Sequence, residues 1–69
     1  MAKLMKAGDL VAISDSITKH WPQGHQWGFI AIITKIEAME ITLLCSTGFV
    51  RELPVQLSSQ YLKVINEAR

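Results

Sequence analysis

The side chains able to do chemistry gather in one stretch of this chain. His20, Trp21, His25 and Trp27 lie close together, interleaved with Pro22, Gly24 and two glutamines. Cys45 is the single cysteine. A His–Cys nucleophilic pair would need that thiol exposed and its pKa lowered. Cys45 falls instead inside an apolar run, where a thiol is inert. His20 and His25 are joined by no third ligand at a spacing that suits zinc. The four glycines are scattered at turns rather than gathered into a phosphate-cradling loop. Recognition is therefore expected rather than catalysis, with no metal and no cofactor. Trp21 and Trp27 are of the type that dominates binding energy at interfaces. With His20, His25 and Phe49, and with Arg51 as a polar anchor, they make the candidate contact surface. The competing role is structural, with Trp27 capping a core and Trp21 folding over its open end.

A chain of 69 residues has room for one domain and a small core. The lone cysteine excludes an internal disulfide, so nothing staples that core covalently. Hydrophobic residues make up 49% of the chain, enough to suggest an apolar surface that a partner covers. The net charge of +1 lacks the basic excess that phosphate contacts require. The opening residues 1–7, broken by Lys3 and Lys6, read as a flexible lead-in rather than a signal peptide. A reduced, cytoplasmic setting with no membrane association is the resulting expectation.

The elements that must position these residues are strands. The longest run is Trp27-Gly28-Phe29-Ile30-Ala31-Ile32-Ile33-Thr34-Lys35-Ile36, too short to span a membrane and rich in β-branched residues. Leu10 to Ser14 precedes it, with Val11 and Ile13 inward. Glu40 to Ser46 follows, with Ile41, Leu43 and Cys45 inward. Thr47-Gly48 turns the chain into Phe49–Leu53, and Pro54 stops that strand. A single helical or 3-10 turn over 57–61 leads to a last strand, Leu62 to Ile65, and residues 66–69 form a tail. Asp15 to Gln26 shows no helical period and is expected to be a long loop. Spacing of two changes to three across Gly28, Ile30 and Ile33, which predicts a bulge or bend in the central strand.

If Val11, Ile30 and Leu43 face inward, then Leu10, Ala12, Phe29, Ala31 and Leu44 lie on the opposite faces of their strands. Such positions become neighbours in an antiparallel sheet. Leu10, Phe29, Ala31 and Leu44 are thus the candidate interface for self-association or for docking onto a larger protein.

Gly8-Asp9-Leu10-Val11-Ala12-Ile13 resembles the G-D-x-V-x-I/V opening of bacterial SH3-like and KOW-type barrels. Gly28-Phe29-Ile30-Ala31-Ile32-Ile33 is similar to their G-x-V/I-x-x-I/V second strand. Leu57 to Ile65 resembles their 3-10 turn and closing strand. The resemblance, over 8–65, implies an all-β, five-stranded SH3-like barrel with a long first loop and a 3-10 turn before the last strand. The A-L-Y-D-Y strand and acidic first loop of SH3 domains that read Pro-rich peptides are absent. Two functions fit such a barrel. One is a non-catalytic protein-binding module or small accessory subunit, with a protein partner or further copies of itself. The alternative is a KOW- or Tudor-like nucleic-acid binder, in which Lys19, Lys35, Arg51 and Lys63 form a weak basic edge and Trp21 stacks on a base.

Overall fold

The computed structural model describes residues 5–66. Five strands form one antiparallel sheet: β1 Leu10–Ile13, β2 Ile30–Glu37, β3 Glu40–Cys45, β4 Val50–Pro54 and β5 Leu62–Asn66, in the order β4-β3-β2-β1-β5. Two short helices interrupt them, α1 Asp15–His20 and α2 Val55–Tyr61, and a 3-10 turn spans Gly24–Gln26. The expected all-β class and the five strands are present. Most of the lead-in and tail, residues 1–4 and 67–69, lie outside the described residues.

The β-branched runs form strands where Gly or Pro bounds them. Gly48, at φ +95°, supplies the left-handed residue of the β3–β4 turn. The two-residue β2–β3 connection instead places Ala38 at φ +53°, a conformation that costs a non-glycine residue on the order of 1 kcal/mol. β4 ends at Pro54, and Val55, the first residue of α2, donates its N–H to the Met39 carbonyl at 2.7 Å. α2 is two residues longer than the expected turn. It packs on both β4 and β5, the two edges of the sheet.

Alternation assigns the inner face. Val11, Ile13, Ile41, Leu43 and Cys45 are buried, as alternation predicts, and Ile33, Leu53 and Leu62 join them in one cluster. Two assignments on β2 are corrected. Ala31 is buried at 2% exposure, while Ile30 points outward at 42%. A break in spacing occurs, but beyond the Gly28–Ile33 stretch where it is expected: the β2–β3 register shifts between Ile33 and Lys35, with Thr34 outside the paired positions. Ile36 consequently pairs with Ile41, on the face of the strand that carries Ala31 and Ile33, but it remains 36% exposed.

The long connection is also corrected. Asp15–His20 is helical, with the Ser14 hydroxyl accepting the Ser16 N–H at 3.2 Å as its N-cap. Asp15 sits in its first turn and Lys19 and His20 in its last, which suits the helix dipole. Ile17 points from α1 into the core and is fully buried. Before β1, the Asp9 carboxylate is buried, accepts the Lys6 N–H at 3.0 Å and meets the Lys6 ammonium at 3.5 Å.

Candidate functional site

The aromatic residues of the first connection assemble into a stack beside the core. The Trp21 ring meets Trp27 edge-on, with centroids 5.5 Å apart, and meets Tyr61 of α2 edge-on at 5.1 Å. Gly24 makes this possible, because its lack of a side chain lets the 3-10 turn press against the Ile17 and Thr18 carbonyls. Trp27 is 5% exposed and belongs to the core. It is therefore withdrawn from the contact surface, and the capping role describes it. Trp21 stays half-buried, while His20 and His25 are exposed at the ends of α1 and the 3-10 turn. An open groove of about 410 Å³ runs nearby between β1 and the α2–β5 junction, bounded by Ser14, Tyr61 and Lys63.

Phe49 and Arg51 form a second group on the inner-face edge of β4. Arg51 pairs across the ladder with Leu43, and its guanidinium carbon lies 5.5 Å from the centre of the exposed Phe49 ring. The buried Arg51 Nε–H donates to no acceptor among the described residues. A hydrogen bond from the Thr47 hydroxyl to the Gln26 carbonyl ties the β3–β4 turn to the 3-10 turn. Burial pushes the Cys45 thiol above its ordinary pKa, and the neighbouring Arg51 charge pulls it partly back. The thiol should therefore resist alkylation at mildly alkaline pH and react fast once the chain is unfolded in urea. Because the folded pKa is the higher one, this group's contribution to stability is complete below the unfolded thiol's pKa, roughly 8.5. It is lost as pH rises through the folded value. A Cys45 that alkylates equally fast with and without urea would show the thiol to be open to solvent.

The third region is the outer face of the sheet. Cross-strand register aligns Val50 with Leu44, Leu44 with Ile32, and Ile32 with Leu10. Val50, Leu44 and Ile32 are 60%, 43% and 38% exposed, so one apolar ladder crosses four strands in water. Ile30 and Ala12 pair in the next row, and the ladder surrounds a shallow hollow of about 260 Å³. Of the residues expected at an interface, Leu10 and Leu44 are here, and Phe29 is exposed just before β2. Ala31 is on the other face, in the core. Ile30, Ile32 and Val50 were not expected here; the one-residue phase error on β2 hid the first two.

The proposed basic edge is not gathered on one face. Lys19 is on α1 and Arg51 is on the inner side of β4. Lys35 and Lys63 stand on β2 and β5, with Lys35 paired to Glu37 at 3.1 Å. Among the described residues, no three His, Cys, Asp or Glu side chains come together as a metal site. Nor is any helix among them long and apolar enough to cross a membrane. Comparison with protein-family models, with curated proteins and with solved structures gives no match.

Proposed function

We propose that this chain is a non-catalytic protein-interaction module, an SH3-like barrel that serves as a small accessory subunit. The observation that carries the reading is the apolar ladder Leu10-Ile32-Leu44-Val50. A single exposed leucine is ordinary, but a contiguous apolar strip across four strands is costly to leave in water. The fold resemblance has its own support in the strand order, the bulged second strand and the short helix before β5. The half-buried Trp21, with Lys19 and His20 beside it, favours the second reading, a nucleic-acid-binding barrel.

A tagged pull-down from the source cell's lysate separates the two. It is run with and without nuclease, at low and high salt, beside Ile32→Asp and Trp21→Ala. A defined protein retained through nuclease and salt, and lost with Ile32→Asp, is the expected result. Recovery that collapses with nuclease, falls steeply with salt and depends on Trp21 replaces the first reading with the second, because counterion release scales with phosphates contacted.

A further inference from the structure

Building on the proposed docking role of the outer sheet face, we infer that its occupant is a second copy of this chain, packed face to face about a two-fold axis running along β3. Three features converge on that occupant. Ile30, Ile32, Leu44 and Val50, each 38–60% exposed, make a patch on the order of 400 Å². A standard interface buries roughly 800 Å² per partner, so polar residues around the patch must supply about half of the contact. Second, a chain of this size has a small core, and oligomerisation is one of the few ways to enlarge it.

The third feature is the placement of charge. The row beside the apolar ladder reads Glu52, Thr42, Lys35 on β4, β3 and β2, all paired across the sheet. A rotation about β3 exchanges the β4 and β2 positions. It seats Leu44 on its own counterpart and Val50 on the second copy's Ile32. In the adjoining row it sets Thr42 on Thr42, and Glu52 against the second copy's Lys35 twice over. An unrelated partner has no reason to demand an acid and a base at mirror positions about one strand. Aligned packing of two such sheets, about 30° off parallel, is the ordinary geometry of a β-sandwich.

Sedimentation equilibrium over a wide concentration range tests this, with circular dichroism confirming that each variant is folded. The native chain is expected to be a dimer, and Leu44→Asp a folded monomer. Glu52→Lys and Lys35→Glu alone should each weaken the dimer about tenfold or more, and the double variant should restore it. These two positions are exposed, so that cycle stands even if Leu44→Asp fails to fold. A native dimer indifferent to Leu44→Asp or to the charge cycle uses another surface, which overturns the inference. A native monomer also overturns it. In that case dye binding decides the wider reading: an apolar fluorescent probe bound by the monomer and released by Leu44→Asp leaves the docking face standing for another protein. A monomer that binds no probe removes both.

Discussion

Trp27→Ala is expected to remove about 3–5 kcal/mol of folding stability, the usual cost of truncating a large buried aromatic residue. At about 0.05–0.15 kcal/mol per residue, a domain of this length has only roughly 3–10 kcal/mol in total, so the variant should lose a large share of its stability and its urea midpoint should fall steeply. Trp21→Ala is expected to stay folded with a lowered urea midpoint. Its ring is half-buried and its two edge-on contacts are each worth about 0.5–1.5 kcal/mol. Far-ultraviolet circular dichroism in urea reads both, since removing either indole distorts fluorescence. Equal midpoints for Trp27→Ala and the native chain would return Trp27 to the surface and revive its part in a binding groove. The contrast between the two tryptophans rests on their surroundings. Trp27 is enclosed by the core cluster, whereas Trp21 is packed on two sides and wet on the others.

That contrast marks how far the sequence was legible. The five strands could be read from their apolar, β-branched runs, several of them bounded by Gly or Pro, and β1 and β3 even in phase, from the inward alternation of Val11 and Ile13 and of Ile41, Leu43 and Cys45. β2 could not. Ile30, Ala31, Ile32 and Ile33 are apolar on both faces, so alternation carries no phase there. The phase is set by the bulge at Thr34, which turns Ile36 toward Ile41 and puts Ala31 and Ile33 with it. Placing the break beside Ile30 instead inverted the strand and sent Ala31 to the interface. α1 was missed because six residues holding one large apolar side chain show no period. Its signal was of another kind: Ser14 as a cap, Asp15 in the first turn, Lys19 and His20 in the last. The apolar face was anticipated from Leu10 and Leu44, yet its centre lies on the strand whose phase was hidden.

Gly24→Ala is the second large effect, and it arises in the same connection. A Cβ built on Gly24 would lie 2.0 Å from the Ile17 carbonyl oxygen and 2.9 Å from that of Thr18. Both obstacles are backbone, so no rotamer change relieves the clash and α1 must move away from the 3-10 turn. That motion strains a chain of hydrogen bonds: Trp21 N–H to Ile17 at 3.1 Å, Gly24 N–H to Trp21 at 2.9 Å, and Trp27 N–H to Gly24 at 3.0 Å. It also loosens Ile17 and Trp27 from the core they share. The expected loss is about 3 kcal/mol, at the upper end for overpacking, since the change acts on several core contacts together. Gly48→Ala is the internal comparison. Its φ of +95° strains any other residue, but nothing lies within 4 Å of an added Cβ, so about 1–2 kcal/mol is expected. Urea midpoints of the two variants should therefore fall in that order. A Gly24→Ala protein as stable as Gly48→Ala would mean that the turn can step back from α1. The aromatic stack would then be held by Tyr61 and the core rather than by the close passage at Gly24.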